Sequence, residues 1–453
     1  MSAPSLVQAV EERALRSVHS ISALTCCLCV QASLVCAQPR EPRGQTLQLA
    51  TLQQQALAAD PRTRELQLHE SQTALRLRML DAERLPSVAL LGQAQYQSDV
   101  PTAPFALPDG RPLFAPPKDT YDASFRVDQR FFDPTRHPRA AVEQAQLAES
   151  QARVRALLFG LRQEVNDAFF AGALLQAQLW ELDATVTELD TRLRETTARV
   201  REGAALPGDA AAVEATLLQR RQDDARLRAN RRASLARLAS LTGRAVTEDD
   251  ELALPQLDVA VAEARRSLDS LRARPEYQQF QRTRDRLASQ QAAATAVERP
   301  QVGAFARAGY GKPGLNFISD RFESYGLAGI QIQWKAWTWG AANREREVLA
   351  LQQQIVDADQ AAFSKSIREA ILGDLATIDR LQETLALDDR IIRLREEVDR
   401  TTKVRFDERV VTASEYLDRN TELLQARYAR TGHETELAQA SARFLTTLGL
   451  EVK

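Results

Sequence analysis

Two carboxylates spaced three residues apart, Glu415 and Asp418, are the best candidates in this chain for a site that attracts cations. Residues at that spacing share one face of a helix. They directly follow a turn between two long helical segments, and carboxylates grouped at such a point attract cations. The same pair would also suit an ordinary solvated helix face, and the spacing alone leaves both interpretations open.

Arrangements of side chains that would support an enzyme are not apparent. The sequence has no P-loop and no G-x-S-x-G motif, and its histidines are scattered without ligand spacing: His19, His69, His137 and His433. Most carboxylates alternate with arginines in helical segments, which is typical of surface ion pairs. We therefore expect no enzymatic activity, no cofactor and no metal site.

The composition favours long helices. Ala, Leu, Arg, Glu and Gln dominate the 453 residues, and Gly and Pro number only 18 each. The formal net charge of −2 predicts no nucleic-acid partner. Beyond the N-terminus, no run of 18 apolar residues predicts a transmembrane helix.

The N-terminus resembles a secretory leader. An apolar stretch at 21–37 follows Arg13 and Arg16, and it contains all four cysteines: Cys26, Cys27, Cys29 and Cys36. The run Val35-Cys36-Ala37 is a tolerable cleavage site, so we predict a signal peptide at 1–37 and a cysteine-free exported chain. Acylation of Cys36 and a buried N-terminal helix are the alternatives.

The rest of the chain repeats itself. Two prolines, Pro61 and Pro86, recur 214 positions later as Pro275 and Pro300. Three further residues have a residue of similar type 206 positions later: Phe131 is matched by Trp337, Asp209 by Glu415 and Gly243 by Gly449. Such spacing indicates a duplicated unit with one loop of variable length. We predict repeats at 38–243 and 263–453, joined by an equatorial linker at 244–262.

Each predicted repeat has the same order of elements. The first has a helix at 47–84, strands at 87–97 and 119–131, a long helix at 136–202 and a return helix at 209–241. The second has a helix at 263–297, strands at 301–310 and 324–336, a long helix at 341–407 and a return helix at 412–448. Seven-residue spacing of apolar residues in the long helices predicts coiled-coil packing.

The strands are amphipathic and rich in aromatic residues. In the strand at 119–131, for example, Tyr121 and Phe125 alternate with Asp122 and Arg126. Four strands are too few to close a barrel, which needs about eight, so several chains must pool their strands or the sheet must be covered. Aromatic girdles favour a membrane barrel, and a soluble sheet packed on the helices is the alternative.

At this point the chain resembles the TolC-like outer-membrane efflux protein family. The resemblance rests on the duplicated order of elements and on three local patterns: the strand-to-helix passage at 127–133, the turn Glu202-Gly203 followed by Asp209, and the helix end at 445–449. It implies a mainly α fold with a small β part, in which long antiparallel coiled-coil helices form an α-barrel. Four strands from each chain would join a trimeric, 12-stranded transmembrane β-barrel.

The resemblance also implies a function. Such a homotrimer would lie in the lipid of the Gram-negative outer membrane, extend into the periplasm and give passive exit to substrates of a tripartite efflux pump or type I secretion system. Its partners would be a periplasmic adaptor (membrane fusion) protein and an inner-membrane transporter. The alternative is a periplasmic coiled-coil adaptor or scaffold, although adaptors usually have one helical hairpin rather than two.

Site residues follow from the same resemblance. The candidates for the periplasmic aperture are Glu415, Asp418 and Phe406. The candidates for the adaptor-docking tip are Gly203, Leu206, Asp209, Val411 and Thr412. The expected membrane-interface aromatics are Tyr121, Phe125, Phe131, Tyr325, Trp334 and Trp337. Arg409 stands where the family has a turn glycine.

Overall fold

Two long helices, α3 (Arg136–Arg201) and α7 (Ala341–Asp407), dominate the architecture. With 66 and 67 residues, each spans roughly 100 Å at the rise of an α-helix. Each reverses direction at a short turn and is followed by a return helix of 36 residues, α4 (Pro207–Thr242) or α8 (Ala413–Leu448). Within each repeat the long helix packs along its return helix, and α3 also packs against α8.

The structure is a computed structural model that describes residues 44–101, 108, 116–266, 274–316 and 319–452. The leader predicted at 1–37, with its four cysteines, lies outside the described residues. Among the residues that are described, none of the helices combines the length and the apolar composition that crossing a membrane requires.

The two shorter helical segments are both interrupted: the segment at 47–84 breaks at Pro61, as the sequence predicts, whereas the segment at 263–297 differs from the single helix predicted there. The first consists of α1 (Leu49–Ala59) and α2 (Thr63–Ala82), and the second contains α5 (Asp258–Arg266) and α6 (Pro275–Ala296). Both breaks fall at a proline, because the residue before a proline is driven out of the helical conformation. Asp60 and Arg274 accordingly have extended backbones, and Pro275 opens α6.

A small parallel ladder lies at mid-length, where the linker was predicted at 244–262. It joins β1 (Thr46–Gln48) to β4 (Glu251–Ala253). Leu252 of β4 lies so close to Gly172 of α3 that a Cβ there would be 2.7 Å from the leucine Cδ1. The largest apolar cluster surrounds this point and includes Phe169, Phe170 and Phe444, all nearly inaccessible.

A four-stranded antiparallel sheet lies at the end of the long helices that is remote from their turns. Its strands are β2 (Ser87–Tyr96), β3 (Asp119–Phe132), β5 (Gln301–Lys312) and β6 (Glu323–Gln333), in the order β2-β3-β5-β6. Each repeat therefore contributes one pair of strands. The pairing of β3 with β5 joins the two pairs into one sheet. Residues 334–336, predicted to extend the last strand, lie beyond the end of β6.

Candidate functional site

The ends of the two helical hairpins have the same backbone geometry, and we call these two turns, at 202–206 and 408–412, the tip. Gly203 and Arg409 both adopt left-handed conformations, with φ of 68° and 64°. The amide of Ala204 donates to the carbonyl of Arg199 over 2.7 Å, and that of Val410 donates to the carbonyl of Arg405 over 2.8 Å. This is the pattern of a Schellman motif, in which a left-handed residue closes the helix.

The return helices also begin alike. Thr412 is the N-cap of α8, where its hydroxyl accepts a hydrogen bond from the amide of Glu415 over 3.2 Å. At the equivalent position in the first repeat, the amide of Leu206 donates to the carboxylate of Asp209 over 3.4 Å. Each cap satisfies a backbone group at a helix start. The sequence therefore fixes two closely similar turns side by side.

Between the two turns lies a groove of about 490 Å³, the tip groove. All five residues predicted as docking candidates line it: Gly203, Leu206, Asp209, Val411 and Thr412. Leu206 is 71% exposed, and Val410, on the opposite wall, is 59% exposed. Arg199 and Arg409 face the groove together with Asp209 and Glu415. The groove therefore combines exposed apolar side chains with charges of both signs, a composition typical of protein-binding surfaces.

Beneath the groove, a buried arginine joins three helices. Arg192 of α3 is only 5% exposed, and its guanidinium donates to Asp407 of α7 over 2.6 Å. The same group lies 5.4 Å from the ring centre of Tyr416 and 5.8 Å from that of Phe406, within the range of cation–π attraction. We call Arg192, Phe406, Asp407, Tyr416 and Glu188 the tip cluster.

The aromatic pair of the tip cluster is stacked nearly parallel. The ring centres of Phe406 and Tyr416 are 5.4 Å apart, with an angle of 9° between the planes. The Tyr416 hydroxyl donates to Glu188 over 3.3 Å, and Lys403 binds the same carboxylate oxygen over 2.7 Å. Burial, and next the charge of Glu188, raise the pKa of Tyr416, so the phenol remains a neutral donor.

The charge of Arg192 is retained despite its burial. Burial alone would lower the pKa of the guanidinium, but Tyr416, Asp407 and Glu195 outweigh that effect and raise it. A permanently charged group is thus enclosed among two rings and two carboxylates. Sequence inspection missed Arg192 because Phe406, Asp407 and Tyr416 lie more than 200 positions away along the chain.

The three aperture candidates fall in different environments. Glu415 is half-buried in the wall of the tip groove, and Asp418 is exposed. Phe406 lies at the tip groove, but it is only 7% exposed and packs against Tyr416. Its position continues the buried seam of α7, so packing accounts for its aromatic character.

The sheet has one apolar face. Cross-strand pairing aligns Leu90 with Phe125 and Ala94 with Tyr121, and the same face continues through Ala308 to Ile330. The large side chains on this face are exposed: Leu90 is 84% and Ile330 77% exposed. Beyond β6, Trp334, Trp337 and Trp339 are also exposed, as is Phe131 at the end of β3. An exposed apolar band bordered by aromatic side chains is the form that a lipid-facing surface takes.

The other face of the sheet is polar, and it contains Tyr325. The hydroxyl of Tyr325 donates to Asp122, which also accepts from Ser124 and Arg307. The ring lies over Gly309, where a Cβ would be 2.5 Å from the Tyr325 Cζ. Tyr325 was predicted among the membrane-interface aromatics, but it faces away from Tyr121 and Phe125 because it occupies the opposite phase of the strand.

Glycines at Gly309, Gly311 and Gly314 have the G-x-G-x-x-G spacing of a dinucleotide-binding motif, although that motif requires a strand-to-helix turn. In the structure the first two lie within β5 and pair with β3 and β6. The glycines allow close packing: a Cβ at Gly311 would lie 2.8 Å from the Tyr121 carbonyl oxygen. This run is therefore part of the sheet and makes no phosphate-binding loop.

Comparison with known proteins identifies relatives at the levels of family and fold. The model of the outer membrane efflux protein family matches residues 52–244, the first repeat with its strands and helical hairpin. Sequence comparison with curated proteins gives no significant match.

Solved structures of channels share the fold over most of the chain. CusC matches with a TM-score of 0.66 at 15% identity, over 90% of this chain and 93% of CusC. The outer membrane protein VceC of Vibrio cholerae gives 0.64 at 16% identity, over 89% of this chain and 97% of VceC. The MtrE outer membrane channel of Neisseria gonorrhoeae gives 0.63 at 18% identity, over 89% of both chains.

The family consists of channels of the Gram-negative outer membrane that extend into the periplasm. Residues 52–244 therefore match the outer membrane efflux protein family, and the chain shares the fold of solved outer-membrane channels over about 90% of its length.

Proposed function

We propose that three copies of this chain form an outer-membrane duct that gives passive exit to substrates of a tripartite efflux pump or a type I secretion system. One observation carries the proposal. Apolar side chains are exposed on α7 at the positions where the duplicated helix α3 is buried by other helices of the same chain. A second copy is the partner that would cover them.

The duplication makes this comparison residue by residue. On α3, Thr185 and Arg192 are 7% and 5% exposed, because α8 packs over them. Their equivalents on α7, 206 positions later, are Ile391 and Val398, which are 46% and 41% exposed. Leu387 and Leu394 on the same helix are each 61% exposed, whereas their equivalents on α3, Glu181 and Glu188, are contacted by α8. We call Leu387, Ile391, Leu394 and Val398 the α7 stripe.

The covering surface can be derived in the same way. Within the chain, α8 covers α3 through contacts such as Tyr416 with Glu188 and Arg427 with Glu181. The equivalents of Tyr416 and Arg427 on α4 are Ala210 and Arg221. This face of α4 exposes longer side chains such as Arg221 and Leu218, and between them lie six exposed alanines: Ala211, Ala215, Ala225, Ala229, Ala233 and Ala236. Large residues of the α7 stripe would pack between these alanines of the next copy, as knobs into holes.

The upper half of α7 supports the same arrangement. Glu149 of α3 is contacted by Thr283 and Arg286 of α6. Its equivalent on α7 is Ile355, which is 60% exposed. The counterpart of α6 is α2, which exposes Leu68, Leu75 and Met79 by 56%, 59% and 69%. In a ring of copies, α2 of one chain would cover Ile355 of its neighbour.

The strands support closure at the opposite end. Within the described residues, β2 and β6 each pair on one side only. An unpaired edge cannot be accommodated in lipid. Neighbouring strands alternate in direction, so β6 of one copy would pair antiparallel with β2 of the next. Three copies would give 12 strands with an apolar outer face and a polar lumen.

The tip groove fits the proposed periplasmic adaptor. Its apolar walls and mixed charges suit a helical hairpin of a partner protein, and the duplication would create a second kind of groove between neighbouring copies. Glu415 and Asp418 would lie near the axis, where six carboxylates would favour cations. Because the chain supplies no motif for nucleotide hydrolysis, energy would come from the inner-membrane transporter.

Crosslinking tests the ring. The contact between Glu188 and Tyr416 maps onto Leu394 of one copy and Ala210 of the next. We expect the double variant Leu394→Cys/Ala210→Cys, treated with a short bismaleimide, to give covalent dimers and trimers on denaturing gels. Each single variant is the matched control and should remain monomeric on the same gel. A double variant that remains monomeric, from a protein that is monomeric in detergent, would refute the trimer.

Conductance tests the duct. Purified protein in planar bilayers should give discrete current steps, and Glu415→Ala/Asp418→Ala should raise the conductance or reduce the preference for cations. Exposed Glu397→Ala/Asp389→Ala on α7 serves as the control for loss of two charges. The aperture assignment fails if both double variants leave the currents equally unchanged.

A further inference from the structure

The two helical hairpins differ in the residues that line their seams. The α7–α8 seam contains three buried aspartates, Asp374, Asp388 and Asp399, which are 4%, 7% and 8% exposed. The equivalent positions in the α3–α4 seam are occupied by Ala168, Leu182 and Leu193. Aspartate is almost never fully buried unless it is paired. The acidic seam therefore belongs to one copy of the repeat alone.

Two of these three carboxylates have an oxygen without a hydrogen-bond partner among the described residues. One oxygen of Asp374 accepts a hydrogen bond from Arg443 of α8 over 2.5 Å, whereas its Oδ2 is inaccessible and has no partner in the described part of the chain. Asp388 lies 2.6 Å from the Nδ1 of His433. Asp399 has a buried Oδ1 that lacks a partner among the same residues.

Helices on both sides face Asp399. Glu188 approaches from α3, Lys403 lies one turn further along α7, and Asn420 and Arg427 approach from α8. Lys403 is already bonded to Glu188 over 2.7 Å, and Arg427 is paired with Glu396 over 2.9 Å. An ionised Asp399 would therefore be a buried charge beside another carboxylate, with its nearby cations engaged elsewhere. Such a charge is destabilising.

Protonation removes this penalty. Burial raises the pKa of Asp399, and the charge of Glu188 raises it further. Burial likewise raises the pKa of Asp374, against the opposing effect of Arg443. A carboxyl whose pKa is raised by folding carries no penalty below its unfolded pKa of 3.8. The penalty grows as the pH rises from there and is complete above the folded-state pKa.

We propose that the α7–α8 hairpin is a proton-regulated element, which packs most tightly when Asp374 and Asp399 are protonated and loosens as they ionise. The α3–α4 hairpin, which has apolar residues at the three positions equivalent to the aspartates, is the reference in the same molecule. Acidification would then hold the α7–α8 side of the tip against α3. The effect of acidification on the opening of the duct rests on the proposed function. The regulation of the α7–α8 seam by protons does not.

Amide hydrogen exchange of the exported protein in detergent tests the seam. Exchange is compared at pH 4 and pH 8 after correction for intrinsic rates. Peptides from 381–402 and 413–428 should lose protection at the higher pH, by about tenfold for each unit of raised pKa. Equivalent peptides from 175–196 and 207–222 should change less than twofold, about the error of such a comparison.

Two variants separate the seam from general effects of pH. Asp399→Asn/Asp374→Asn should abolish the extra loss in α7–α8, because the amides cannot ionise. Asp389→Asn, at an exposed position on the same helix, should retain it. Equal responses of the two hairpins would overturn the proposal, and so would an unchanged response in the Asn variants. The comparison within the wild-type chain decides the matter even if a variant fails to fold, and conductance separately reports whether the duct itself is correct.

Discussion

Replacing Arg192 with methionine should free the tip end of α7 and α8 from α3. Arg192 is the one side chain of the tip cluster that contacts Asp407 of α7 and the rings of Phe406 and Tyr416 together. Methionine keeps a long apolar stem in the space and removes the guanidinium. The change therefore isolates the charged contacts with little loss of packing volume.

The expected size follows from the exposure of each partner. A hydrogen bond to a charged group contributes about 1.5–3 kcal/mol, and a cation–π contact adds about 0.5–2 kcal/mol. The Asp407 side chain is 37% exposed and can be rehydrated after the change, which places the loss near the low end of the combined range. We expect a loss of about 2 kcal/mol, equivalent to about a 30-fold increase in the opened population.

Limited proteolysis provides the assay, because Arg405 and Arg409 are exposed trypsin sites next to the cluster. When reclosing is fast, the cleavage rate follows the opened population, so it should rise by about 30-fold in Arg192→Met, the factor that corresponds to about 2 kcal/mol. Arg194→Met is the matched control, since Arg194 lies on the same helix with 73% side-chain exposure. Cleavage of Arg192→Met at the rate of this control would refute the role of the cluster.

Three further changes have defined outcomes. Gly203→Ala should lower the free energy of unfolding by about 1 kcal/mol, because alanine is strained in the left-handed conformation. Arg409→Gly, at the equivalent position, should cause no loss of stability. Equal urea midpoints for the two variants would contradict this expectation. Gly309→Ala should displace the Tyr325 ring from Asp122 and reduce the heat stability of the proposed trimer on gels, whereas Gly326→Ala, where the added Cβ meets no atom within 4 Å, should not. Leu394→Asp should prevent assembly, because each copy loses about 1.5–3 kcal/mol of apolar burial and gains a buried charge. Trp180→Asp, at an exposed position outside the α7 stripe, is the control and should still assemble. Light scattering in detergent measures the mass of both variants.

The architecture was predictable because its boundaries are encoded locally. Pro86 and Pro300 directly precede strands, and Gly243 and Gly449 terminate return helices in left-handed conformations with φ of 65° and 87°. Prolines and glycines act through their own backbone restrictions, so their recurrence survives when the side chains between them diverge. The breaks before Pro275 and at Pro61 follow from the same physics.

The surroundings of two site residues could have been predicted from the periodicity of the sequence. Tyr325 is an odd number of residues from Ile330 and Trp334, so a strand places it on the opposite face. Phe406 continues the seven-residue series through Ile378 and Ile392, so it belongs to the buried seam. In both cases periodicity predicted the observed burial better than residue type did.

Arg192 and the acidic seam could not be derived in this way. Their significance depends on which helices pack together, and the contacts of Arg192 with Asp407 span 215 positions. A local sequence pattern shows which face of a helix is buried, but it does not show which other helix packs against that face. The comparison of equivalent positions supplies what periodicity lacks, because Arg192 aligns with Val398, and Asp399 aligns with Leu193.

That difference between equivalent positions gives the two kinds of helix contact separate roles. Within a chain, the contact of α3 with α8 is polar at the tip, with Arg192, Glu188 and Tyr416. Between copies, the proposed contact of α7 with α4 is apolar at the same level, with Val398 and Leu394. Apolar contacts lose free energy steadily with exposed area, whereas a buried ion pair fails when one partner moves. Changes at Val398 should therefore affect assembly, and changes at Arg192 should affect the tip of an assembled trimer. A duct built in this way would have three charged latches, one in each chain.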